Sequence, residues 1–108
     1  MDIYHITCDL LPGVAAHDFA SAVDAWLGHL RREGAIHGWR LTRRKLGLSS
    51  LDLGDFHIMI ETRDLAQLDN AFAVAARNDQ PAASLHAAVY GKVANLGFAL
   101  YRDFPDRL

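Results

Sequence analysis

Apolar and polar positions change period several times along this chain, and each change marks an element. "DIYHITCDL" (Asp2–Leu10) alternates as a half-buried strand does, with Tyr4, Ile6, Cys8 and Leu10 on one side. Pro12-Gly13 breaks it. From about Ala15 to Glu33 the apolar residues, among them Phe19, Val23, Trp26, Leu27 and Leu30, recur at three- and four-residue steps. That spacing predicts one stripe of an amphipathic helix. Arg31 and Arg32 suit its negative C-terminal end, and Gly34 can adopt the left-handed cap. Ala35–Leu48 reads as the next strand, with Trp39 and Leu41 on one face and Arg40, Thr42 and Arg44 on the other. "SSLDLGD" is a loop ending in the Gly54-Asp55 turn signal. Phe56–Thr62, "FHIMIET", alternates most cleanly. Asp64 can cap a second helix, with Gln67 at capping-box distance and Leu65, Leu68, Phe72 and Ala76 as its inner stripe to about Asn78. A short helix ending at Gly91 follows Pro81, and a strand over Val93–Phe104 closes the chain before Pro105.

The order is β-α-β-β-α-β with one short helical insertion. Two βαβ units in one small domain fit an α+β, ferredoxin-like fold, whose antiparallel four-stranded sheet has the order 4-1-3-2 and both helices on one face. A faint internal repeat agrees with the pseudo-symmetry of that topology. "YHI" at 4–6 matches "FHI" at 56–58, and "GWRLTR" at 38–43 matches "GFALYR" at 97–102. The second spacing is longer than the first, as the helical insertion in the second half requires. The repeat assigns the faces. Tyr4, Ile6, Trp39, Leu41, Phe56, Ile58, Ile60, Phe98 and Leu100 should meet the helices. His5, Thr7, Asp9, Arg40, Thr42, His57, Met59, Glu61, Ala99 and Tyr101 should form an open face.

Composition narrows the class. At 108 residues, 51% of them hydrophobic, the chain suits a single domain over 1–108 that buries a core without metal or disulfide staples. Its net charge of −2 argues against a general nucleic-acid or anionic-membrane binder. Cys8 is the sole cysteine, so no intrachain disulfide can form, and its alternating apolar setting suits a buried, inert thiol. The N-terminus lacks a signal-peptide pattern and no apolar run is long enough to span a membrane, so a cytoplasmic protein is expected.

In size, element order and strand pattern, nearly the whole chain resembles the dimeric α/β-barrel superfamily. That group includes the stress-responsive A/B barrel proteins, the antibiotic-biosynthesis-type monooxygenases and several uncharacterised bacterial families. The resemblance implies a homodimer in which two ferredoxin-like subunits pack sheet against sheet. It places His5, His57, Met59, Glu61 and Tyr101 near a cavity lined by the open faces. The superfamily's heme-degrading members hold heme through a histidine on the second helix; here that helix, "DLAQLDNAFAVAARN", has none. An RRM shares the element order but stacks bases on open-face aromatics. Here those positions are His, Thr, Asp, Met and Glu, so RNA binding is not expected.

The open face suggests acid–base chemistry. If His5 stood opposite Glu61 and Asp9 opposite His57, two His–carboxylate dyads would form, each carboxylate orienting an imidazole and raising its basicity. A two-residue slip of register would break both, leaving ordinary cross-strand pairs. Tyr101 could donate to a developing enolate or phenolate oxygen. A metal site is not expected: His5 and Asp9 lie about 13 Å apart along one strand, and the other histidines follow no ligand spacing. "RLTRRK" (Arg40–Lys45) could bind an anion or nucleic acid, but positive charges on an edge strand are also a standard guard against unwanted strand pairing. The expectation is a small-molecule binding homodimer without cofactor. Thr7, Asp9, Arg40, Thr42 and Met59 would contact an apolar or aromatic ligand. The alternative is a cofactor-independent isomerase or monooxygenase with His57 or His5 as base, aided by Glu61 and Tyr101. A third reading is a structural dimer whose open face is fully packed.

Overall fold

A computed structural model describes residues 1–105; the last three lie outside the described residues. The elements are β1 (Asp2–Leu10), α1 (Ala16–Arg32), β2 (Gly38–Arg43), β3 (Phe56–Thr62), α2 (Leu65–Ala76), α3 (Ala82–Tyr90) and β4 (Val93–Arg102). The sheet order is β2-β3-β1-β4, with every neighbouring pair antiparallel. This is the ferredoxin-like βαββαβ arrangement with α3 inserted.

The stripe on α1 is the heart of the core. Phe19, Val23, Trp26, Leu27 and Leu30 are buried against Ile6, Cys8, Phe56, Ile58 and Ile60 of β1 and β3. Burying each such side chain contributes about 1.5–3 kcal/mol. Gly34 ends the helix at φ +74°, its N–H donating to Arg31 O (3.0 Å) while Ala35 N–H donates to Leu30 O (2.9 Å). This pair of bonds satisfies two carbonyls of the last turn and needs the left-handed backbone that glycine adopts at little cost. The chain then turns sharply, and Ala35 and Ile36 plug the core before β2 begins.

Four expectations are corrected. The second strand covers only Gly38–Arg43: Leu46 and Gly47 adopt positive φ, which ends the extended run and leaves residues 44–55 as a long β2–β3 loop. The last strand stops at Arg102 rather than Phe104, and Asn95 at φ +55° sits in a bulge against Asp9. On α2, Leu68 is buried but Leu65, Phe72 and Ala76 are exposed, because the inserted α3 packs against α1 and buries Val89 there. Phe98 and Leu100 do share a face with Ile6 and Tyr4 through their register, yet Leu68 and Phe72 of α2 only line an open recess with them, and both strand residues are exposed.

The α2 cap forms as the sequence suggests. Asp64 Oδ1 accepts from Gln67 N–H (2.8 Å). The buried Gln67 amide completes its bonding elsewhere: Oε1 accepts from Arg63 N–H (2.7 Å) and Nε2 donates to Gly34 O (3.1 Å). One polar side chain thus ties the start of α2 to the end of α1. Cys8 is buried, and desolvation first, then the nearby Asp9 charge, push its thiol up to about 11, which keeps it protonated and unreactive.

Candidate functional site

The open face is built by cross-strand register. His5 faces Met59, Thr7 faces His57 and Ile3 faces Glu61, while on the other side of β1 Ile3 faces Tyr101, His5 faces Ala99 and Thr7 faces Gly97. On β2, Arg40 faces Met59 and Thr42 faces His57. All the residues expected on this face are therefore on it.

Their partners differ from the expected ones. The register of β1 against β3 is slipped by two residues from the one that would form the His–carboxylate dyads, so His5 does not face Glu61 and Asp9 does not face His57. The two histidines meet instead across the diagonal, His5 Nδ1 to His57 Nε2 at 2.7 Å. Tyr101 adds an edge contact to the His5 ring, with centroids 5.0 Å apart. Thr42 Oγ1 donates to His57 O at 3.4 Å. Asp9 takes a different task. Its Oδ1 accepts from Asp55 N–H and its Oδ2 from Asn95 Nδ2–H, both at 2.9 Å, tying the end of the β2–β3 loop to the β4 bulge. The Asn95 bond, then the Asp55 bond, hold its carboxyl below the usual range.

A hydrogen bond between two imidazoles requires one nitrogen to donate and the other to accept, so the intact pair holds at most one extra proton. Partial burial lowers the pKa of both rings, and the neighbouring His5 lowers His57 further. At neutral pH the pair is uncharged. Beside it lies a recess of about 190 Å³, with Thr7, Thr42 and His57 as floor and Arg43, Arg44, Leu48, Leu53 and Asp55 as walls. Gly54 lets the loop close here: a Cβ on it would run into the Cys8 backbone. Arg44 Nε stands 3.7 Å from Asp55 Oδ1 and braces the same wall. Among the described residues, no group of three or more His, Cys, Asp or Glu side chains could hold a metal ion.

The model of a family of unknown function, DUF6614, matches residues 1–108. The chain belongs to this family. Among curated proteins, none matches. Solved structures show the fold shared beyond the DUF6614 family. A DABB-family protein with a ferredoxin-like fold from Mesorhizobium loti is 15% identical, with TM-score 0.65 over 95% of this chain and 96% of that one. A dimeric ferredoxin-like protein of unknown function from Jannaschia is 14% identical, with TM-score 0.68 over 95% and 100%. A candidate antibiotic biosynthesis monooxygenase from Deinococcus radiodurans is 16% identical, with TM-score 0.59 over 100% and 97%. At these identities the likeness concerns the fold. It agrees with the dimeric α/β-barrel resemblance read from this DUF6614 member's element order.

A second chemical cluster, unassigned in the sequence reading, lies behind the sheet. Trp26, His86 and Tyr90 form a ring group with centroids 4.4–5.9 Å apart, and Tyr4 meets Phe72 edge-on at 5.2 Å. Burial lowers the His86 pKa and pushes Tyr90 up to about 12, the latter aided by nearby Tyr4 and Cys8. The signal in the sequence was His86 and Tyr90 four residues apart on one helix face. The gap they enclose is about 70 Å³. An apolar cavity of about 150 Å³ can admit benzene, so this one is a packing gap between α3, α1 and the sheet. Among the described residues, no helix is long and apolar enough to cross a membrane.

Proposed function

We propose that this DUF6614 protein is a homodimer packed through its open faces, holding a small apolar or aromatic molecule in the recess beside the His5–His57 pair. The observation that carries this reading is the 2.7 Å imidazole pair standing next to a recess of about 190 Å³. That volume is below the range of about 300–1,000 Å³ for drug-sized ligands and suits a single substituted ring. Thr7 and Thr42 offer hydroxyls at its floor, Leu48 and Leu53 offer apolar wall, and Met59, Arg40 and Tyr101 flank the pair on the same face.

The test is an amide-shift titration of the protein with a panel of monocyclic phenols. Shifts concentrated at Thr7, Thr42 and the 48–55 loop, lost in His57→Ala, are the expected result. Shifts elsewhere, or none at millimolar phenol, contradict the site.

The neutral imidazole pair also favours a second reading, cofactor-independent acid–base catalysis on a phenolic or enolisable substrate. An uncharged histidine is ready to accept a proton, and the 2.7 Å bond lets the second ring share it. His57 would be the base because it floors the recess, His5 its partner, and Tyr101 would orient His5. Glu61, opposite Ile3, would supply charge at the edge rather than a dyad, and Asp9 would hold the wall. In this reading His57→Gln abolishes turnover while phenol binding persists, and equal turnover in both proteins excludes it.

A further inference from the structure

The open face gathers metal donors of one chemical kind at one point. His5 Nδ1 and His57 Nε2 converge at 2.7 Å. Met59, half-buried, faces His5 directly across the strands and stands two residues from His57 on the same side of β3. Side chains paired in this way have Cβ atoms about 4.5–5.5 Å apart, so the flexible Met59 thioether has the reach to meet the two imidazoles. No carboxylate joins them. Asp9 is engaged by Asp55 N–H and Asn95 Nδ2–H, and Glu61 turns away over β2, its Oε1 3.7 Å from where a Cβ on Gly38 would stand. Arg40, across Met59 on the other side, adds positive charge. Cys8 is also outside the group, buried on the opposite face of β1 beneath α1.

We infer that His5, His57 and Met59 form a binding site for a monovalent copper ion. The two-residue slip of register that breaks the His–carboxylate dyads is what creates it, by setting His57 rather than Asp9 within reach of His5. Two nitrogens that share an ion at about 2.0–2.1 Å each stand about 2.9–3.4 Å apart. The 2.7 Å pair therefore admits an ion once its rings part by less than about 1 Å. The shared proton can stay on the protein. A neutral imidazole carries its proton on either nitrogen, and with both rings protonated on their outer nitrogens two lone pairs point at one spot. Imidazoles alone would serve zinc, nickel or copper, whereas a thioether donor selects copper in its lower oxidation state. Charge favours the same choice. Three neutral donors beside Arg40 offer no anion to offset a divalent ion, and partial burial penalises uncompensated charge, so a single positive charge costs least. His57 also floors the recess with Thr7 and Thr42, so a small molecule held there lies beside the ion. All three donors belong to one copy, which makes the site independent of the dimer and ring-binding readings above.

The test is an anaerobic titration of the untagged full chain with Cu⁺ against a coloured Cu⁺ chelator, with the imidazole resonances followed by NMR. The expected result is one Cu⁺ per chain and shifts at the His5 and His57 rings. Met59→Leu conserves volume and apolar character; it should weaken Cu⁺ binding at least tenfold while leaving Zn²⁺ binding within twofold. His57→Gln should abolish Cu⁺ uptake, and Cys8→Ala should leave it unchanged. Uptake that survives His57→Gln, or that disappears in Cys8→Ala, overturns the site, as does no uptake at micromolar free Cu⁺. Equal Cu⁺ affinity in Met59→Leu and wild type, or Zn²⁺ held as tightly as Cu⁺, overturns the assignment to copper. Phenol shifts in the metal-free protein are read separately and decide only the ring-binding proposal.

Discussion

Beneath α1, Ile6, Cys8 and Ile58 are no more than 3% exposed, while on the same face of the same sheet Phe98 and Leu100 are 57% and 54% exposed. The residue types hardly differ and the cover does. α1 lies over β1 and β3 with a complete apolar stripe, whereas on the β4 side only Leu68 and Phe72 of α2 approach Phe98 and Leu100, leaving an open recess of about 240 Å³. One half of the sheet is finished within a single copy; the other half has the composition of a core and the exposure of a surface. Such a patch marks an interaction site in a soluble protein, which is the physical ground for reading this chain as half of a pair.

Paired substitutions sharpen that contrast. Ile58→Ala should cost about 2–5 kcal/mol by denaturant unfolding, because a cavity opens where the surroundings are fully packed. Leu100→Ala, half exposed at the far end of β4, should cost about 1 kcal/mol or less. Equal losses would mean that β4 is as well covered as β1. Next in size is Gly54→Ala. The added methyl meets the Cys8 backbone, which cannot swing away as a side chain would, so about 1–3 kcal/mol is expected. The same variant should weaken phenol binding, since Gly54 closes the recess wall. Asp64→Ala removes the α2 cap and should lower stability by about 1 kcal/mol without changing the oligomer.

The smallest effect is on pH dependence. His5 and His57 have folded pKa values below the ordinary 6.5, so below that pH the unfolded chain binds more protons than the folded one. Stability is then fully present above about pH 6.5 and declines as pH falls through the depressed values. Unfolding midpoints from pH 8 to 5 should show this decline in the wild type and a shallower one in a His5→Gln, His57→Gln double variant. Identical slopes would separate the imidazole pair from the stability of the fold.

Element order, sheet order and the membership of each face were legible in the sequence because they rest on period. Alternation in Phe56–Thr62 and the three–four spacing of α1 are local and strong, and Gly34 and Asp64 act as the boundary signals they resemble. Register was not legible. Sliding β1 against β3 by two residues keeps every side chain on its face, so the hydrophobic pattern cannot choose between a His–carboxylate pair and a His–His pair. The choice is made by other contacts, including the Asp9 bonds to Asp55 and Asn95 and the crossing of Gly54 over Cys8. The α2 stripe was misjudged for a related reason: amphipathic spacing says which face is apolar but not whether an inserted helix leaves anything for that face to cover.

Sedimentation velocity of the untagged protein across micromolar concentrations tests the central claim most directly. If the open face and the β4 edge are halves of an interface, the 12.0 kDa chain should sediment as a species of twice its mass. A monomer at every concentration would contradict the account, since it would leave the apolar half of the sheet and the imidazole pair facing water.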